Sequence, residues 1–177
     1  QEIDAKLRAV ISPFMEFQRL SENALRKHWP TLDENQKTEF VILFRALVLH
    51  SYLEQVRSAK EKYTIEYEDE EVKGRKAAAI TAIARTQKAE IELVFHLILR
   101  DKSNWVVEDI LIDEVSLVEN YREQFNRIIS QDGFLALLQK MADKLISIGG
   151  TVPSEVKSVK RQAAPSPAAK DKKSKKD

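Results

Sequence analysis

The sequence predicts an α+β domain in which helices and an antiparallel sheet occupy separate stretches of the chain. Three observations carry this. Helix-period apolar spacing fills the first third of the 177 residues. Strand-length runs joined by two- or three-residue polar turns follow. Helix-period spacing then returns and ends at Gly149-Gly150. The expected order is three helices, a curved four-stranded antiparallel meander and two helices.

Ile3, Leu7, Val10 and Ile11 define a short first helix that Pro13 stops. Phe14, Phe17, Leu20, Ala24 and Leu25 continue a helical pattern as far as Trp29-Pro30. Thr31 with Glu34 fits a capping box that opens the third helix. That helix has no Gly or Pro from about Asp33 to Lys60, a span of roughly 40 Å at 1.5 Å per residue. Between Phe40 and Leu49 only Arg45 is polar. A helix apolar nearly all round must be covered on more than one side, so it is expected to lie between other helices and the sheet.

The period changes after Lys62. The runs Tyr63 to Val72, Lys76 to Thr86, Ala89 to Arg100 and Asn104 to Asp113 read as strands. The turns between them are too short for crossovers, which requires antiparallel neighbours. In the third run Ile91, Leu93, Phe95, Leu97 and Leu99 share one face, opposite Glu90, Glu92, His96 and Arg100, a polar face broken by Val94 and Ile98. The second run carries Ala77, Ala78, Ala79, Ala82 and Ala84, small residues expected to leave space beside the sheet. Ser116 with Glu119 makes a second capping box. Val118, Tyr121, Phe125 and Ile128 line the helix it opens, Gly133 interrupts, and Phe134, Leu138, Met141 and Leu145 mark the last helix. Residues 1–150 are read as one domain. Residues 151–177, rich in Lys, Pro and Ala, are read as a disordered tail.

Composition narrows the function classes. Apolar residues make up 43% of the chain, enough for a core, but no run reaches the ~18 apolar residues of a spanning helix. The absence of Cys excludes disulfides and thiolate metal sites. The formal charge of +1 conceals an asymmetry. Residues 151–177 hold 8 basic and 3 acidic residues, whereas the rest hold 21 and 25. An acidic folded part does not suit nonspecific nucleic-acid binding. The chain begins at Gln1 without an initiator Met, so an upstream segment, such as a signal peptide, is expected to have been removed.

Candidate chemistry is sparse. His28, His50 and His96 have no metal-ligand partner three or four residues away, and no catalytic or phosphate-binding motif is present. Glu66, Glu68, Asp69, Glu70 and Glu71 read as a solvated strand edge. Lys170, Lys172, Lys173, Lys175 and Lys176 read as a solubilising tail or a weak tether to anionic head groups. Pattern alone stops at an α+β domain with a plausible apolar cavity.

The stretch Trp105 to Ile129 goes further. Trp105, Asp109, Val115-Ser116-Leu117, Asn120-Tyr121-Arg122 and Phe125 resemble the signature of the MlaC family, also called the toluene-tolerance or ABC-transporter auxiliary family. Looser matches at Phe14, Phe17, Trp29, Gln36, Phe40, Phe44 and Tyr52, with Phe95 in place of a usual Tyr, extend the likeness over roughly Ile11 to Leu145. Two positions depart from the family pattern. Glu114 replaces a usual Gly, so the turn there is expected to differ, and Lys27-His28 stands where a Gly precedes Trp29.

The resemblance implies an NTF2-like fold and a periplasmic, non-enzymatic phospholipid carrier concerned with outer-membrane lipid asymmetry. It implies a bound phospholipid and no cofactor. It implies a monomer that shuttles between an inner-membrane ABC transporter complex and an outer-membrane lipoprotein complex, touching membranes only transiently. On this reading the acyl tails contact Phe40, Phe44, Leu47, Val48, Leu93, Phe95, Leu97, Tyr121 and Phe125. Arg122 and Arg100 are the candidates for the head-group phosphate, since Arg binds phosphate bidentately, with a surface ion pair to Glu119 or Glu123 as the alternative for Arg122. Ser116 is explained by capping, Asp109 by a turn or backbone contact, and Trp29 and Trp105 by packing. The alternatives are an NTF2-like enzyme using Asp109 or His96 as a base, and a lipid-free interaction module.

Overall fold

Why the long helix starts where it does is visible at its first turn. Asp33 Oδ1 accepts from the Gln36 backbone N–H at 2.8 Å, and Gln36 Oε1 accepts from the Asp33 N–H at 3.0 Å. This is a reciprocal capping box, but it is built by Asp33 and Gln36 rather than the expected Thr31 and Glu34. Thr31 is occupied elsewhere: its hydroxyl donates to the His28 carbonyl at 2.7 Å, within the 3₁₀ turn Trp29–Thr31.

The computed structural model describes residues 15–58, 64–85, 90–101 and 103–159, with side chains of the long helix as far as Ser51. The expected helix over Ile3 to Ile11 and residue Phe14 lie outside the described residues. The chain then runs α1 (Phe17–Leu25), α2 (Glu34–Ser58), β1 (Thr64–Lys73), β2 (Ala77–Arg85), β3 (Glu90–Leu99), β4 (Trp105–Ile112), β5 (Val115–Ser116), α3 (Leu117–Asp132) and α4 (Phe134–Ser147).

The sheet is antiparallel throughout, in the order β1-β2-β3-β4-β5. It has five strands where the sequence pattern predicts four. The fifth is two residues long and closes a hairpin over Asp113 and Glu114. Both turn residues have positive φ, +47° and +67°. The expectation that Glu114 alters this turn is therefore corrected: the chain keeps the left-handed geometry with non-glycine residues, at a steric cost. Asp113 helps to hold it. Its backbone N–H donates to the Glu92 carbonyl at 3.0 Å, and its Oδ1 accepts from the Glu92 N–H at 3.1 Å.

Strand register aligns Tyr67, Ala82, Leu93 and Ile112 in one row across the sheet. This is the face turned to the helices near β3 and β4. Bulges at Glu68 and at Glu108 break the ladders and add curvature. β1 is exposed along its whole length, leaving Ile65 and Tyr67 63% and 83% accessible. Arg85 on β2 pairs with Glu66, Glu68 and Glu90 on the opposite face.

The core sits among the helices. Phe40 and Phe44 of α2 meet Tyr121 and Phe125 of α3, with ring centroids 5.0–5.6 Å apart in edge-on and stacked arrangements. Aromatic pairs of this geometry each add roughly 0.5–1.5 kcal/mol beyond area burial. Leu137, Leu138, Met141 and Leu145 of α4 complete the packing. Gly133, at φ +86°, ends α3 by donating to the Ile129 carbonyl and turns the chain into α4.

The packed body does not stop at Gly150. Val156 and Val159, in the stretch assigned to the tail by composition, are buried in the core. Residues 151–159 act as a strap. The Glu39 carboxylate of α2 accepts from the backbone N–H groups of Lys157 and Ser158 at 2.9 and 3.2 Å, and from the Ser158 hydroxyl. Burial pushes the Glu39 carboxyl up, but these hydrogen bonds and the Lys157 charge outweigh it and hold the group below its ordinary value of 4.5.

Two outcomes follow for stability. Glu114→Gly is expected to stabilise the protein by about 1 kcal/mol in denaturant titration, by relieving the left-handed conformation. Glu39→Gln is expected to cost about 1–2 kcal/mol at neutral pH, because charge-assisted bonds become neutral ones. A carboxyl depressed by folding stabilises above its unfolded value and loses that contribution as pH falls through the folded value. The gap between wild type and Glu39→Gln should therefore close below pH ~4.5 when unfolding is followed by circular dichroism.

Candidate functional site

The start of α3 is fixed by β4. Asp109 Oδ1 accepts from the Ile110 N–H at 2.8 Å and from the Val118 N–H at 3.1 Å, and its Oδ2 accepts from the Ser116 hydroxyl at 2.5 Å. Ser116 Oγ in turn accepts from the Glu119 N–H at 3.0 Å, the expected helix cap. Asp109 thus accepts from three donors, two of which, Ser116 and Val118, tie β4 to the start of α3.

Beside this knot lies an apolar cavity of about 140 Å³. One wall is the sheet, through Leu93 and Phe95 of β3 and Ile110 and Ile112 of β4. The other is α2, through Val48 and Leu49, with Met15 and Leu117 closing the ends. No polar side chain lines it. None of the β2 alanines does either, so the space that the alanine-rich run suggests opens instead against β3 and β4.

A second concavity, about 300 Å³, lies between α2, α3 and α4. Leu47, Tyr121, Phe125 and Met141 contribute to its floor, and Leu117 is a wall shared with the first cavity. A third, about 520 Å³ and polar, sits at the far end of the sheet against α1 and includes Arg19, Lys76 and Arg100.

The residues expected to touch acyl tails are therefore distributed. Val48, Leu93 and Phe95 line the apolar cavity. Leu47, Tyr121 and Phe125 line the groove between the helices, and Phe40 and Phe44 are fully packed in the aromatic core. Leu97 pairs with Val107 beyond the β4 bulge, on the sheet face of Leu93 but outside the cavity. Burial pushes the Tyr121 hydroxyl up, which keeps it neutral.

Neither arginine reaches the apolar cavity. Arg100 is ion-paired with Glu16 in the polar cleft. Arg122 Nε donates to the Asn23 carbonyl of α1 at 2.9 Å, and its Nη1 lies 3.6 Å from Glu119. Sequence reasoning misses Met15, Leu49, Ile110, Ile112 and Leu117. The last three were legible in principle, as alternating positions of β4 and as the Leu of Val115-Ser116-Leu117.

The family described as MlaC protein matches residues 1–143. The chain belongs to the MlaC family. A solved structure of a phospholipid-binding protein from Ralstonia solanacearum, in complex with a phospholipid, shares the fold of this MlaC chain with a TM-score of 0.73. Identity is 19%, over 84% of this chain and 83% of that one. No curated protein matches the sequence. Among the described residues of this MlaC member, no helix is long and apolar enough to cross a membrane, and no group of three His, Asp or Glu is placed to hold a metal ion.

The knot at Asp109 gives a direct test. Asp109→Ala removes the acceptor of the buried Val118 N–H and of Ser116 and is expected to cost about 2–4 kcal/mol in chemical denaturation. Ser116→Ala, which removes one cap, should cost about 1 kcal/mol.

Proposed function

We propose that this protein is a periplasmic phospholipid carrier of NTF2-like fold. It buries acyl tails between α2 and the sheet and passes the lipid between an inner-membrane ABC transporter complex and an outer-membrane lipoprotein complex. The observation that carries the reading is the wholly apolar cavity at the junction of α2, β3 and β4. Membership of the MlaC family and the shared fold with a phospholipid-binding protein support it. No catalytic step is invoked.

The physics requires a container. A leaflet is about 15 Å deep, half of a ~30 Å hydrocarbon core. Two tails of that length hold roughly two dozen CH₂ groups, and at ~0.8 kcal/mol each their exposure costs on the order of 20 kcal/mol. A lipid crossing water must therefore be enclosed. At about 140 Å³ the cavity is smaller than two tails need, since a single water already takes up about 30 Å³. Loading consequently parts the sheet from α2, and Leu93 and Phe95 turn from facing Val48 to facing hydrocarbon. Enclosure of tails needs area but no polar precision, which agrees with the absence of a catalytic motif.

Lipid mass spectrometry of the purified full chain tests this. Stoichiometric phospholipid is expected in detergent-free preparations. Leu93→Trp fills the cavity and should lower bound lipid at least severalfold while circular dichroism stays native. Wild-type protein free of phospholipid would overturn the proposal.

A further inference from the structure

The groove between α2, α3 and α4 is amphipathic in a way the apolar cavity is not. Its floor is apolar, with Leu47, Tyr121 and Phe125 at the centre. Its polar lining consists of Ser51, Asn120, Gln124, Lys140 and Lys144, and contains no carboxylate. In a chain whose first 150 residues carry more acidic than basic groups, this groove is lined by two ammonium groups and its nearest acid is Asp132, paired with Lys140 at its rim. The polar cleft at the far end of the sheet is different, because Glu16 and Glu22 share it with its cations.

Lys140 and Lys144 are one helical turn apart and so lie on the same side of α4. Lys140 holds Asp132 at 2.6 Å in an exposed pair, which is weak and exchangeable. Lys144 makes no ion pair among the described residues. Leu117 is buried and walls both this groove and the apolar cavity, so a molecule seated in the groove is one side chain away from the tail site.

We propose that this groove seats the phosphate and glycerol of the phospholipid whose tails occupy the cavity, with Lys140 and Lys144 as the anion-binding pair. This places the head group on the last helix rather than at Arg100 or Arg122, neither of which lines the groove or the apolar cavity. Ammonium groups suit the role because they meet phosphate as point charges and exchange it readily for water or a partner. The assignment rests on the carrier reading above.

Native mass spectrometry of the full chain tests it with two detergent-solubilised probes of matched chains, phosphatidylethanolamine and diacylglycerol, which differ by the phosphate-bearing head. Wild type is expected to favour phosphatidylethanolamine by about five- to tenfold, the effect of one or two exposed charge-assisted contacts. The double variant Lys140→Gln with Lys144→Gln should bring the ratio close to parity while diacylglycerol uptake persists. The charge-matched variant Lys73→Gln with Lys76→Gln should leave the ratio as in wild type. An unchanged preference in the first double variant, or equal uptake of both lipids by wild type, overturns this inference and leaves the carrier reading standing. Wild type that takes up neither lipid overturns the carrier reading, and the head-group site falls with it.

Discussion

One carboxylate sets the spacing between sheet and helices. Asp109, inside β4, accepts from Ile110, Val118 and Ser116, and through Ser116 it also fixes the N-terminus of α3. With that end pinned, Tyr121 and Phe125 project at helical intervals onto Phe40 and Phe44 of α2. The position of α2 then brings Val48 and Leu49 opposite Leu93 and Phe95. A polar contact outside the apolar cavity thus holds in place Leu117, the α3 residue that closes one of its ends.

Packing around the cavity is uneven. The three-helix core is filled to the level of rings in contact, whereas the helix–sheet junction keeps about 140 Å³ unfilled. The strap over residues 151–159 extends the filled core by burying Val156 and Val159 and satisfying Glu39.

Much of this was legible in the sequence where a period persists. The alternation of β3, broken only at Val94 and Ile98, and the all-round apolar stretch from Phe40 to Leu49 identify both walls of the cavity. Legibility fails where the signal is short or degenerate. Thr31 and Asp33 are both good caps with Glu or Gln three residues on, and only the 3₁₀ turn at Trp29–Thr31 decides between them. β5 is too short to alternate. Val152, Val156 and Val159 recur at i, i+4 and i+7, but they stand among Ser, Pro and Lys in a stretch that forms neither helix nor strand, so its composition masks them as core. The arginines mislead for a related reason. Glu16 and Asn23, which hold Arg100 and Arg122, are 84 and 99 residues away, and of their contacts only that of Arg122 with Glu119 follows from helical spacing.

The exposed strand β1 has a consequence for the molecule as one of many. It forms the outer edge of the sheet and presents Glu66, Glu68, Asp69, Glu70 and Glu71 within ten residues. Two copies joined antiparallel through that edge would set carboxylates against carboxylates, and the bulge at Glu68 would throw the ladder out of step. Ile65 and Tyr67 can thus remain in water without seeding a fibre. The same strand that leaves apolar side chains uncovered also keeps the sheet from growing by addition of its own kind.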